Sequence, residues 1–173
     1  MKEHALQPEQ VERIETFVGD FQKEMSYPLE SRRAPGSAVD AKFSLPFVVA
    51  VAVCQGNVGV ADFSLQALKD PRVLAMAQRV VPVEDSSADW KDKSPVGRVR
   101  IITRDGCSFE RLGDKVPGSP DAPLNWDHLA AKFRGCARAA AVPMVDERID
   151  AAIRLAREFD SLPDVAEFIR ALG

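Results

Sequence analysis

The residues whose chemistry and spacing first suggest a site are Lys42 and Ser44, at the entrance of the segment DAKFSLPFVVAVAVCQG. The second half of this segment is almost wholly apolar. If it is a helix, its first N–H groups and its macrodipole favour an anion such as a substrate carboxylate. The alternative is that Ser44 only caps the helix and Lys42 only faces solvent.

The two histidines and three cysteines form no metal-ligand spacing, and the sequence has no Gly-rich phosphate loop and no nucleophile elbow. His4 is expected in a frayed terminus and His128 at the polar start of a helix, so surface roles are predicted for both. Cys107 follows a predicted turn and is interpreted as a structural thiol. The sequence therefore predicts no metal site and no catalytic constellation of its own.

A run of alternating residues, VGRVRIITRDGCSFERL, predicts a β-hairpin. Asp105 and Gly106 are the residue types of a two-residue type I′ turn. Arginines fall largely on one face of the hairpin, at Arg98, Arg100, Arg104 and Arg111. They offer an anion-binding face, or alternatively they lie on the solvated side of a half-covered sheet.

The apolar half of the opening segment, from Leu45 to Cys54, is predicted to be a buried helix. Ser44 is a good N-cap, Pro46 suits a first helical turn, and Gly56 stands where a C′ glycine belongs. The valines of the segment leave a buried strand as the alternative, because β-branching lowers helix propensity.

The remaining segments complete an α+β pattern. PEQVERIETFVGDF fits either a helix or a strand, Val80 to Val83 suits a strand, and SSADWKDKSP is predicted to be an exposed loop. Near the end of the sequence, apolar residues recur at helical spacing in two segments. They are Ile149, Ala152, Ile153, Ala156, Phe159, Val165, Phe168, Ile169 and Leu172. We expect a small antiparallel sheet packed with helices, followed by a C-terminal helical hairpin.

Composition narrows the function classes. The chain has 173 residues, a net charge of −3 and 46% hydrophobic residues, which is ordinary for a soluble globular protein of one domain or one domain with an appendage. The mildly acidic charge gives no support to nucleic-acid or anionic-membrane binding. The polar start MKEHALQPEQ and the odd cysteine number predict a cytoplasmic protein with reduced thiols and no membrane span.

Several segments together resemble the MmgE/PrpD family, which includes 2-methylcitrate dehydratase, cis-aconitate decarboxylase and iminodisuccinate epimerase. They are DAKFSLPFVVAVAVCQGNVGV, DPRVLAMAQRVVPVED, VRIITRDG and PGSPDAPLNWDHLAAKFRGCA, in the order and spacing of the family. The resemblance runs over nearly the whole chain from Leu6 onward. It implies that LQPEQVERIETFV enters the domain as a strand, at about Glu12 to Val18.

The resemblance implies that this chain is only part of a family member. Relatives are about two and a half times as long and carry a large helical domain, then a smaller α+β lid domain, then C-terminal helices that return to the helical domain. Residues 1–140 are expected to be the lid-like domain and residues 141–173 the returning helical hairpin. The family's acid–base residues lie mainly outside the lid, so no catalytic residue is assigned in this chain, and no metal or organic cofactor is implied.

Four residues are carried over as substrate-binding candidates. Lys42 and Ser44 match the AKFSLP pattern that borders the active-site cleft of the family. Arg33 stands where relatives often have a basic residue before a proline. Phe47 stands where many relatives have a tyrosine, so any function of that hydroxyl is absent here.

Three hypotheses follow. The first is the C-terminal, lid-containing part of a lyase or isomerase acting on small di- or tricarboxylates, inactive alone and completed by a helical MmgE/PrpD domain in trans. The second is a non-catalytic interaction module that self-associates through the apolar faces of its terminal helices. The third, a complete small enzyme, is disfavoured because no histidine–carboxylate constellation is present.

Overall fold

The computed structural model describes residues 1–90, 97–113 and 115–173, and these form two compact units, Met1–Ala122 and Pro123–Gly173. The strands of the first unit are β1 (Val11–Val18), β2 (Val80–Glu84), β3 (Arg98–Thr103) and β4 (Ser108–Leu112). Its α-helices are α1 (Asp20–Glu24), α2 (Leu29–Arg33), α3 (Ala38–Lys42), α4 (Leu45–Gln55) and α5 (Pro71–Ala77). The second unit contains α6 (Trp126–Arg138), α7 (Asp146–Arg157) and α8 (Ala166–Leu172). Short 3-10 helices lie at Lys2–His4, Pro8–Gln10, Val60–Phe63, Ala67–Lys69, Ser86–Ala88 and Phe159–Ser161.

The four strands form one sheet in the order β2-β1-β3-β4. β1 pairs antiparallel with β3, and β3 with β4, while β1 and β2 run parallel. The predicted α+β class is confirmed, and so is the strand that replaces the helix alternative at the start. The parallel pair was not predicted; the long connection through α1 to α5 lets the chain return in the same direction.

The core of the first unit lies between one face of the sheet and helices α4 and α5. Ile14 of β1, Phe47 and Val51 of α4, and Val73 of α5 are each 0–1% exposed. The valines that left a strand as the alternative lie in a helix. In a segment buried on nearly all sides, the free energy gained from packing exceeds the helix propensity lost through β-branching. The predicted helix and its caps are confirmed, with Gly56 at φ 75° directly after the helix.

The open edge of β2 is protected. Because the Ile14 N–H donates to Arg79 O (2.9 Å) in the parallel pairing with Val80, the Val80 carbonyl points away from β1. A guanidinium nitrogen of Arg33 donates to that carbonyl (2.5 Å). Pro82, two residues on, has no N–H to offer. This edge is therefore blunted against pairing with a further strand.

The predicted hairpin is confirmed, but its turn is not type I′. The Gly106 N–H donates to Thr103 O, and Thr103 N–H donates to Cys107 O, both at 2.9 Å. Gly106 has φ 84°, and Asp105 lacks the positive φ that a type I′ turn requires at both central residues. The loop therefore holds three residues, with Gly106 in the left-handed position of a bulge. The Asp105 carboxylate accepts from the Thr103 hydroxyl (2.5 Å), which favours this alternative.

The second unit has a small core of its own. Ile149 and Ala152 of α7 are 0% and 1% exposed, and Ala130 of α6 is buried. Ion pairs join α6 to α7 at Asp127–Arg157, Arg134–Asp150 and Arg138–Asp146. The predicted C-terminal helices are confirmed, and α8 packs on α7. The expected division between residues 140 and 141 stays a prediction, because it concerns contacts with a domain outside this chain.

Residues 91–95 of the loop predicted over SSADWKDKSP lie outside the described residues, and Ser86–Ala88 of it form a 3-10 helix. Among the described residues, each helix is too short or too polar to cross a bilayer.

Candidate functional site

Lys42 is the exposed member of the candidate set. It ends α3, and its Nζ lies 5.9 Å from the centroid of the Phe63 ring. This distance is at the outer limit of a cation–π contact, so the ring interacts only weakly with the ammonium group. The ammonium group is therefore available to an anion.

Ser44, by contrast, is 0% exposed. Its hydroxyl accepts from the Phe47 N–H (3.1 Å) and donates to the carbonyl oxygen of Arg32. The hydroxyl thus makes both a capping bond and a tertiary bond. In this arrangement Ser44 supports the helix that follows it and shows no surface to a ligand.

The N-terminus of α4 has no backbone donor left for an anion. The Leu45 N–H donates to Met25 O (2.9 Å), Pro46 has no N–H, and the Phe47 N–H donates to Ser44. The Val48 N–H makes the first bond within the helix, to Ser44 O (3.0 Å). The expectation that free N–H groups attract a carboxylate here is not met. An anion that binds at this entrance would have to contact side chains, and the positively charged side chain there is Lys42.

Phe47 is 0% exposed and is among the largest fully buried side chains of the chain. It packs with Ile14 of β1 and Val73 of α5 in the apolar cluster of the first unit. A phenylalanine suits this position, since a hydroxyl there would need a buried partner.

Arg33 uses its guanidinium on the sheet edge. Besides its bond to Val80 O, its Nε is buried and has no hydrogen-bond partner among the described residues. Partial burial lowers the pKa of this guanidinium, although arginine stays charged at neutral pH. The structure therefore brings Lys42, Ser44 and Phe47 together at the α3–α4 junction and directs the Arg33 side chain to β2.

Arg32 was not predicted as a site residue. Its guanidinium donates to the carbonyl oxygens of Tyr27, Phe43 and Glu24 at 3.3, 3.1 and 3.0 Å. Arg32 and Arg33 are adjacent, and the sequence carries no signal that says which of the two turns toward Ser44. That depends on the helical rotation of α2.

The hairpin arginines form a charge-compensated face. Arg98 and Arg100 both donate to Glu110, at 2.7 and 2.9 Å, and Arg100 also donates to Glu15 at 2.9 Å. The Arg98 guanidinium lies 4.0 Å from the centroid of the Phe17 ring. Hydrogen bonds from Arg98 and then Arg100 lower the pKa of the Glu110 carboxyl. Because Arg98 and Arg100 are each paired with carboxylates, these two arginines give no support to the anion-binding alternative.

The other chemical groups flagged in the sequence lie apart. His4 packs against Phe109 with ring centroids 4.5 Å apart. The main-chain N–H of His128 donates to the side chain of Asn125, which caps α6. Cys107 and Cys136 are exposed, and burial raises the pKa of the Cys54 thiol. Within residues 1–90, 97–113 and 115–173, no three His, Cys, Asp or Glu side chains are grouped to hold a metal.

Comparison with known proteins places this architecture. Residues 1–158 match the MmgE/PrpD C-terminal domain. Cis-aconitate decarboxylase of Mus musculus is similar at 23% identity over 171 residues, which is 98% of this chain and 33% of that protein. The chain therefore spans about a third of the length of the curated relative it matches. Since the family match covers most of its residues, the chain belongs to the MmgE/PrpD family through the family's C-terminal domain.

Proposed function

We propose that this chain supplies the lid-like part of an MmgE/PrpD lyase or isomerase that acts on a small di- or tricarboxylate. The acid–base groups would come from a helical domain outside the chain. Lys42 would contact a substrate carboxylate from the lid side, while Ser44 and Phe47 hold the entrance in shape and Arg33 holds the edge of β2. The observation that carries this proposal is the exposed Lys42 ammonium at the family's AKFSLP stretch, next to a helix start whose N–H groups are already bonded.

The related cis-aconitate decarboxylase is named for a decarboxylation. The family resemblance adds dehydration and epimerisation as possible reactions. All three chemistries need a positive group beside a carboxylate and a positioned acid or base. The described residues provide a positive group at Lys42, and we assign the acid or base to the helical domain. We therefore expect the isolated chain to be inactive.

The test is an assay of the chain with 2-methylcitrate, cis-aconitate and iminodisuccinate, with and without a separately produced MmgE/PrpD helical domain. We expect turnover of one substrate only in the mixture. Turnover by the isolated chain would contradict the proposed division of roles, and inactivity of every mixture with demonstrated complex formation would contradict the proposed activity.

Lys42 has a test of its own in the active mixture. Lys42→Ala removes a charged contact worth about 1.5–3 kcal/mol, so kcat/KM is expected to fall about 10- to 100-fold. Lys69→Ala, which removes another exposed lysine of the same unit, serves as the matched control and should leave kcat/KM unchanged. Equal values for the two variants would return Lys42 to a solvent-facing role.

The second candidate function is a non-catalytic module that self-associates. It is favoured by apolar side chains exposed on the second unit, which include Trp126, Val165 and Ile169 at 48%, 48% and 59%. Sedimentation of wild type and Ile169→Glu distinguishes the candidates. A dimer that Ile169→Glu dissociates, with Val39→Glu on α3 as the unaffected control, supports the module. A monomer at all concentrations excludes self-association.

A further inference from the structure

We propose that Arg32 is a positioning residue for Lys42, acting through the main chain of Phe43. This inference rests on the proposed function for the role of Lys42, but its structural part concerns the isolated chain. Phe43 directly follows Lys42, and its N–H donates to Val39 O (3.2 Å) at the end of α3. A hydrogen bond to the Phe43 carbonyl therefore restrains the segment to which the Lys42 side chain is attached.

Three hydrogen bonds carry the inference. The Arg32 guanidinium donates through Nη1 to Phe43 O (3.1 Å), through Nη2 to Glu24 O (3.0 Å) and through Nε to Tyr27 O (3.3 Å). One planar group therefore joins the end of α1, the segment before α2 and the α3–α4 junction. Arginine is suited to this because its five N–H donors point in fixed directions.

The junction is tied to Arg32 in the reverse direction as well. The Ser44 hydroxyl donates to the Arg32 carbonyl oxygen, and the Leu45 N–H donates to Met25 O (2.9 Å). Each segment thus both gives and receives hydrogen bonds. A rotation of the junction breaks several bonds at once, which makes its geometry well defined.

The side chains of Lys42 and Phe43 do not supply this restraint. The Phe43 ring is 59% exposed, and Lys42 touches the Phe63 ring only at 5.9 Å. Arg32 forms no ion pair with a carboxylate among the described residues, so its donors serve the main chain. The Phe43 N–H donates to Val39 O (3.2 Å) and the Phe43 carbonyl accepts from Arg32, so these two main-chain contacts restrain the residue that precedes Ser44.

The first experiment uses the isolated chain with 13C-methylated lysines, observed by NMR. Arg32→Lys keeps the charge but cannot reach three carbonyls. We expect the Lys42 methyl signal, shifted by the Phe63 ring, to move toward that of an exposed lysine, while the Lys69 signal stays in place. Arg72→Lys, whose arginine pairs with Asp70, is the matched control and should move neither. An unchanged Lys42 signal would overturn the proposal.

A second variant covers the case in which Arg32→Lys does not fold. Arg32→Gln retains a side-chain NH₂ group but loses the planar guanidinium with its several donors. We expect the same shift of the Lys42 methyl signal. Loss of the whole fold in both variants would show that Arg32 supports the unit as a whole, which also overturns a specific positioning role.

The second experiment measures coupling in the active mixture. If Arg32 acts through Lys42, Arg32→Lys lowers kcat/KM about tenfold in the wild-type background and leaves it unchanged in the Lys42→Ala background. Equal losses in both backgrounds contradict the positioning role. If no mixture is active, the proposed function fails by itself, and the NMR result still decides whether Arg32 positions Lys42.

Discussion

The buried hydroxyl of Ser44 makes two hydrogen bonds that connect α4 to α2. It caps α4 and donates to the Arg32 carbonyl, in a position with no solvent to replace either partner. Removing it leaves the Phe47 N–H and the Arg32 carbonyl each without this bond. The effect should exceed that of an ordinary exposed cap.

We therefore predict that Ser44→Ala lowers the free energy of unfolding by about 2–3 kcal/mol, the sum of a cap and a buried polar group left unpaired. Ser37→Ala is the matched control, because Ser37 caps the short α3 at the surface, where its hydroxyl accepts from the Asp40 N–H (3.1 Å). Its expected cost is about 0.5–1 kcal/mol. Urea unfolding measures both, and equal losses would contradict the tertiary role of the Ser44 hydroxyl.

At the scale of elements, β1 leads into a close contact between two chain segments. A Cβ on Gly19 would lie 2.2 Å from the carbonyl oxygen of Ala88, which is main chain and cannot move aside. The next residue joins the same two segments by a hydrogen bond, since the Asp20 carboxylate accepts from the Trp90 N–H (2.7 Å). Hydrogen bonds from Trp90 and then Phe21 lower the pKa of that carboxyl.

Gly19→Ala is predicted to destabilise the first unit by about 1–3 kcal/mol through overpacking, although the φ of Gly19, −87°, suits any residue. Gly36→Ala is the control, because a Cβ at Gly36 meets nothing within 4 Å. Thermal unfolding of the two variants should separate them clearly. A Gly19→Ala protein as stable as Gly36→Ala would mean that the Ala88 segment is free to shift.

The charged face of the hairpin predicts a pH dependence. Because the pKa of Glu110 is lowered in the folded state, the unfolded chain binds more protons in the acid range, and stability is lost as pH falls through the folded pKa. Glu110→Gln should therefore flatten the fall in Tm between about pH 6 and pH 3. Glu12→Gln, at an exposed residue of β1, is the control. An unchanged acid profile in Glu110→Gln would place the stabilising charges elsewhere.

At the scale of the whole molecule, the apolar cluster built around α4 belongs entirely to residues 1–122. The second unit buries few large side chains, Ile149 being its largest fully buried one. Chains of about 50 residues with so little core are marginally stable. The two units should therefore differ in their ability to fold alone.

A fragment of residues 1–122 is predicted to unfold cooperatively with urea, and a fragment of residues 123–173 to show partial helicity without a sharp transition. Circular dichroism during urea titration checks both. A cooperative transition in the second fragment, or none in the first, would contradict the assignment of the core.

The sequence predicted what depends on neighbours along the chain. α4 follows from Ser44, Pro46 and Gly56, which act within one turn of it. The turn at Asp105–Gly106 was placed correctly but given the wrong type, because the Thr103 hydroxyl selects a longer loop. The parallel partner of β1 and the role of Arg32 depend on contacts distant in sequence, which periodicity does not encode. The substrate contacts of Lys42 stay a prediction.

The central position of β1 has a consequence for synthesis of the chain. β1 is made first, yet both of its partners come much later, β2 from Val80 and β3 from Arg98. Until then the alternating segment Val11–Val18 has no strand to pair with. Late, non-local pairing slows folding and leaves edges exposed to other chains. The first strand of this domain is therefore the segment most in need of protection while the rest of the chain is still being made.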